Sequence, residues 1–235
     1  MSDESKRRLK AAAKNRAKME ENFGVDGLYI KRPGAKKVSA ESRAAAKKTL
    51  EEIATKVRAC KRCDLHIEAN KAVPGDGYPN AELVFVGEGP GADEDRQGIP
   101  FVGRAGKLLD KIIAAMGLKR EEIFIANVVK HRPPGNRTPT KQEIEACWPL
   151  LIAQLEAIHP KVICTLGAPA SQTLLQTDLN IGKLRGKFHR FPENADILVM
   201  PTYHPAYLLR NPAGKKPVWE DMQKIIKQLG RRLPK

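Results

Sequence analysis

Four short apolar runs, separated by stretches with helical periodicity, constrain the fold of this chain more than any other feature. They are residues 82–87 (ELVFVG), 123–129 (IFIANVV), 161–166 (KVICTL) and 196–200 (DILVM). Runs that are apolar on both faces read as strands buried inside a parallel sheet, where each side must meet a covering layer. The intervening segments supply that cover. Residues 46–59 place Leu50, Ile53, Ala54 and Val57 at helical spacing, and residues 104–116 form a helix closed by Gly117. Residues 140–159 read as a longer helix begun by a capping box of Thr140 and Glu143, Gly167 opens another, and residues 215–232 make a closing helix. Strand alternating with helix predicts an α/β fold with helices on both faces of the sheet. Ligand-bearing loops then belong at the carboxyl ends of the strands.

A chain of 235 residues has room for one well-buried domain and an appendage. Residues 1–46 read as the appendage: twelve Lys and Arg face six Asp and Glu, with few large apolar side chains. Gly24, Gly27, Pro33 and Gly34 interrupt any helix there. A basic, flexible extension ahead of a globular domain at 47–235 is the expectation. The net charge of +15 points to a polyanionic partner, nucleic acid first. No apolar run approaches the roughly 20 residues that span a bilayer. The opening MSDESKRR has no apolar signal core, so a cytosolic monomer without a membrane partner is expected.

The unusual residues gather in three loops that follow strands. These are 87–94 (GEGPGADE) with 100–103 (PFVG), 127–137 (NVVKHRPPGNR) and 202–210 (TYHPAYLLR). One glycine-rich loop is a tight turn or a phosphate cradle; three at one sheet edge mark a binding site. Cysteines stand at 60, 63, 147 and 164. In a cytosolic chain Cys60-x-x-Cys63 indicates metal or redox chemistry in preference to a disulfide. Its place between a helix and a loop, outside any βαβ unit, favours a metal. Cys164 lies within an apolar strand and reads as a small core hydrophobe.

Taken in order, these motifs resemble the family 4 uracil-DNA glycosylases, the iron–sulfur branch of that superfamily. The match runs over residues 60–229, about 170 of 235. It is carried by GEGPG with the later PFVG, by N-V-V-K-x-R-P-P-x-N-R, by H-P-x-x-L-L, and by C-x-x-C with the distant Cys147. The resemblance implies a three-layer α/β/α sandwich with a central four-stranded, mainly parallel sheet. It also implies a DNA repair enzyme that flips uracil out of single- or double-stranded DNA and hydrolyses its N-glycosidic bond, leaving an abasic site. Asn127 would read the uracil edge, donating to O4 and accepting from N3–H, a pairing cytosine cannot satisfy. Phe101 would stack on the base, with Gly89 and Gly91 beside it. His204 would donate to O2 as negative charge develops on the departing base. Glu88, Glu94 and Asn136 would surround the attacking water and the positive sugar, the sequence leaving the two glutamates unranked. Leu208 would wedge into the vacated base step, and Arg132, Arg137 and Arg210 would contact phosphates.

Cys60, Cys63 and Cys147 fall where the family places cluster ligands, but His131 stands where the third cysteine is found. Imidazole replaces thiolate at iron in some clusters, so these four residues are expected to hold [4Fe–4S]. Three cysteines and a histidine are also a zinc set, and zinc is the alternative. Cross-linking relatives resemble this chain at His131 but carry a basic insertion after it, absent from 132–137 here; ordinary turnover follows. Two rival readings are a DNA-binding metalloprotein of this fold without catalysis, and a redox protein. The first leaves Asn127, Asn136, His204 and Phe101 unexplained together, the second the H-P-x-x-L-L loop and the basic charge.

Overall fold

The computed structural model describes residues 40–232. Most of the expected basic extension therefore lies outside the described residues. Each apolar run forms a strand: β2 (Leu83–Gly87), β3 (Phe124–Asn127), β4 (Val162–Leu166) and β6 (Asn194–Thr202). These four pair in parallel in the order β3-β2-β4-β6. Two short antiparallel strands, β1 (Asp76–Gly77) and β5 (His189–Phe191), extend the edges and bring the sheet to six strands. At two and three residues they are too short for an alternating pattern to register in the sequence.

Nine α-helices surround the sheet among the described residues: α1 (Ala40–Arg58), α2 (Leu65–Glu68), α3 (Ala92–Gln97), α4 (Arg104–Ala115), α5 (Lys141–Ile158), α6 (Ala168–Leu175), α7 (Ile181–Leu184), α8 (Pro205–Arg210) and α9 (Lys215–Gln228). The first of them begins six residues before the expected domain boundary at Ala46, which is itself its first buried side chain. The capping box on α5 forms as expected: Glu143 N donates to Thr140 Oγ1 and Thr140 N to Glu143 Oε2. No described helix is long and apolar enough to cross a membrane.

Alternation along each strand divides the interior into two cores, one per sheet face. Val84, Val86, Ala126, Ile163 and Val199 face α1, α5 and α6 through Ile53, Val57, Leu151, Leu155 and Leu174. Leu83, Phe85, Ile125, Val162, Cys164 and Met200 face α4 and α9 through Leu109, Ile113, Met222 and Ile225. Each such apolar side chain stabilises the fold by roughly 1.5–3 kcal/mol when fully buried. Cys164 is 0% exposed and belongs to the second core. Because the four inner strands run parallel, Gly87, Asn127, Leu166 and Thr202 all end at one edge, and the three loops converge there.

Candidate active site

The strand register places Gly87 opposite Asn127. A Cβ on Gly87 would lie 2.5 Å from Asn127 Oδ1 and 2.7 Å from Phe101 Cζ, so the glycine lets an amide edge and an aromatic ring meet over its Cα. Asn127 is 1% exposed, and neither its Oδ1 nor its Nδ2 has a hydrogen-bond partner. A buried polar group left unpaired costs about 1–3 kcal/mol, so an amide orphaned at both ends marks a place where a ligand completes the bonding.

Phe101 reaches this place from a left-handed backbone at φ 51°, a conformation bulky residues rarely adopt. Three contacts hold it there. Arg120 donates from Nη2 to the Pro100 carbonyl (2.5 Å) and from Nη1 to the Phe101 carbonyl (3.3 Å), and is anchored by Asp110 at 2.7 Å. Gly106, in α4, abuts the same Phe101 carbonyl; a Cβ there would sit 1.9 Å from the oxygen. Glu94 Oε1 accepts from Val102 N (2.9 Å) and Gly103 N (3.0 Å). Sequence reasoning missed Arg120, Asp110 and Gly106 because Arg120 and Gly106 meet backbone carbonyls and Asp110 meets only Arg120, which leaves no motif.

His204 caps the N-terminus of α8, and its Nδ1 accepts from Ala206 N at 3.0 Å. The acceptor role leaves the proton on Nε2. Burial lowers its pKa to about 4, opposed by Glu94 and reinforced by Arg210, so the ring is a neutral donor at physiological pH. Its ring centroid stands 5.7 Å from that of Phe101. Beside it opens a cavity of about 310 Å3, lined by Glu88, Leu166, Gly167, Tyr203, Tyr207 and His204 among others. Burial pushes the Glu88 carboxyl above its ordinary pKa, with a hydrogen bond from Thr138 opposing. The glutamates are thereby distinguished: Glu88 faces the cavity with His204, while Glu94 braces the Phe101 turn.

Other expected site residues sit elsewhere. A Cβ on Gly89 would meet Val129 Cγ2 at 2.8 Å, so this glycine seats the first loop on the second. A Cβ on Gly91 would meet Glu94 Oε2 at 2.7 Å, so this position accommodates that carboxylate. Asn136 is exposed and its Oδ1 is taken by Arg132 Nε at 2.8 Å; the structure does not bring it to the cavity. Arg137 is engaged by Glu143 through two bonds of 2.8 and 2.6 Å, which hold that carboxyl at about 2 and tie Arg137 to the capping box of α5, so it is not a free cation. Leu208 is 1% exposed and packs in the second core; the helical phase turns Leu209 (48%) and Tyr207 (40%) outward in its place. Arg210 is exposed and within electrostatic reach of His204.

Cys60 and Cys63 are half-buried beyond the end of α1, and Cys147 is buried in α5. Burial raises the Cys63 and Cys147 thiols most, and nearby sulfurs raise them further: Cys60 acts on Cys63, and both act on Cys147. Backbone N–H groups of Leu65 and Lys130 donate to these two sulfurs. Crowded thiols that already accept N–H bonds fit a thiolate-bound metal group, whose positive charge relieves their mutual repulsion. His131 is 6% exposed and held neutral chiefly by burial, then by His66 and against Asp95. Among the described residues no three His, Cys, Asp or Glu side chains converge as ligands of a single ion would.

A parallel-sheet edge that offers an orphaned amide, a stacking ring and a neutral imidazole donor defines a protein that recognises a planar nucleobase. Residues 74–225 match the family model described as the Uracil DNA glycosylase superfamily. A type-4 uracil-DNA glycosylase of Sulfurisphaera tokodaii is 47% identical over 183 residues, covering 75% of this chain and 83% of the relative. One from Archaeoglobus fulgidus is 43% identical over 191 residues (79% and 96%), and one from Thermotoga maritima 44% over 178 residues (74% and 92%). The chain belongs to the type-4 uracil-DNA glycosylase family.

Proposed function

We propose that this protein removes uracil from DNA by hydrolysing the bond between base and deoxyribose. The observation that carries the reading is the buried, unpartnered amide of Asn127 beside Phe101. Its Nδ2–H donates to uracil O4 and its Oδ1 accepts from N3–H; cytosine presents the opposite pattern and leaves both ends unsatisfied. Phe101, pinned by Arg120 and Glu94, stacks on the base without reorganising. The Nε2–H of His204 meets O2 and stabilises the negative charge that develops as the base departs. Glu88, lining the cavity with His204, orients water and stabilises the positive sugar.

On the DNA side, Leu209 with Tyr207 enters the base step in place of Leu208, which is committed to the core. Arg210, Arg132 and Asn136 face the backbone of single- or double-stranded DNA. The basic residues that precede α1 within the expected extension 1–46 add phosphate contacts; deleting residues 1–39, which leaves α1 whole, flattens the salt dependence of binding. Cys60, Cys63, Cys147 and His131 would hold a [4Fe–4S] cluster. The crowded sulfurs of Cys60, Cys63 and Cys147, two of them already accepting backbone N–H bonds, support that reading. Through these four residues a bound cluster would join the segment after α1, the loop after β3 and α5. Release of free uracil from a uracil-containing oligonucleotide tests the reading; intact DNA after incubation overturns it.

A further inference from the structure

Lys130 follows the base-reading strand and is wholly buried, 0% exposed. Its Nζ donates to the Asn127 carbonyl at 2.9 Å and to Gln154 Oε1 at 2.6 Å. Gln154, 2% exposed in α5, passes its own Nε2–H to the Pro74 carbonyl at 2.5 Å. The Lys130 backbone is engaged too: its carbonyl accepts from Val73 N at 2.7 Å and its N–H reaches the Cys147 sulfur. A buried amine is expensive unless its environment is built around it. Base stacking, edge reading and leaving-group stabilisation make no use of it.

Its geometry points to a use. β3 ends at Asn127; the peptide that follows keeps its N–H on the neighbouring strand (Val128 N to the Gly87 carbonyl, 2.9 Å), while its carbonyl is held by Lys130. The Asn127 side chain has no hydrogen bond of its own to hold it in aim. We propose that Lys130 is a positioning residue for uracil recognition: its Nζ ties the Asn127 carbonyl to Gln154, which in turn holds Pro74, so that the free amide stays aimed beside Phe101 before a base arrives. This rests on the glycosylase reading and deepens it. The amide is preorganised from behind, through the main chain, by a group that never touches the base. The segment leading from the cysteine pair (Val73, Pro74) and the helix carrying Cys147 are thereby joined to the residue that reads uracil.

A double-mutant cycle tests the assignment. Lys130→Met keeps the length of the side chain and removes its donors. Single-turnover uracil excision with excess enzyme is measured for Lys130→Met in the wild-type and Asn127→Ala backgrounds, alongside thermal melts of all four proteins. With Asn127 present, Lys130→Met lowers excision about tenfold; in Asn127→Ala it lowers it less than about twofold, since no amide remains to aim. Melting temperature falls by a similar amount in both backgrounds. Gln154→Met runs through the same cycle and carries the test if Lys130→Met does not fold. Equal losses of excision in both backgrounds, or none in either, overturn the positioning role while uracil release by the wild type leaves the glycosylase reading standing. No release by the wild type overturns both.

Discussion

Replacing Asn127 by Asp probes the central recognition element with a change of one atom and one charge. The site is 1% exposed and supplies no donor to either end of the side chain. Burial in such surroundings lifts a carboxyl from its ordinary pKa of about 3.9 to between about 7 and 9. Below that value the new group is neutral: its O–H donates to uracil O4 and its C=O accepts from N3–H, and excision stays within about tenfold of wild type. Above it the carboxylate opposes O4 with a like charge and offers no donor. A buried mismatch of about 3 kcal/mol corresponds to a loss on the order of a hundredfold. Excision by Asn127→Asp therefore falls as pH rises through the raised pKa, while wild-type Asn127 contributes no such titration. Stability follows the same sign. The unfolded chain ionises near pH 4 and the folded one does not, so Asn127→Asp loses about 1.4 kcal/mol for each pH step of one between the two pKa values. Single-turnover rates on a uracil oligonucleotide, normalised to folded protein by thermal melts, measure the effect. A pH-independent, wild-type-like rate for Asn127→Asp would refute the role given to this amide.

His204→Ala should lower single-turnover excision by roughly a hundredfold or more, with abasic-DNA binding changed far less, because one leaving-group donor is lost. The unfolded histidine takes its proton near 6.5 and the folded one at about 4, so stability falls as pH drops from the first value toward the second; in His204→Ala denaturant melts should show a shallower slope over that window. Leu208→Ala should cost about 2–5 kcal/mol of unfolding free energy, whereas Leu209→Ala should leave the melt unchanged and slow excision from duplex DNA more than from single strands. Anaerobically purified protein should contain iron and acid-labile sulfide, retained in His131→Cys; zinc without sulfide would exclude the cluster.

The central strands were legible because burial on both faces leaves an unbroken apolar run, and the three site loops because they end those runs with residues no core needs. Other features depend on tertiary phase. In H-P-A-Y-L-L-R, Leu208 and Leu209 are chemically equal, and only the docking of α8 beside α4 decides which is inward. Glu88 and Glu94 carry the same carboxylate six positions apart; the Phe101 turn, pinned by Glu94 at Val102 and Gly103, separates their roles. Arg137 reads as a free cation until Glu143 is seen to face both its role as helix cap and the guanidinium. Lys130 stood inside the N-V-V-K motif without a role and Arg120 outside every motif, because each acts on backbone carbonyls, whose identity no side chain records.

The most direct test of the account is to incubate the protein with a uracil-containing duplex and its single strand and assay the products. Free uracil, identified by mass, together with an alkali-labile abasic site at the uracil position, is the predicted result, with the matched cytosine-containing strand untouched. DNA bound but left intact, with no uracil released, would contradict it and would make this chain a DNA-binding protein built on a glycosylase fold.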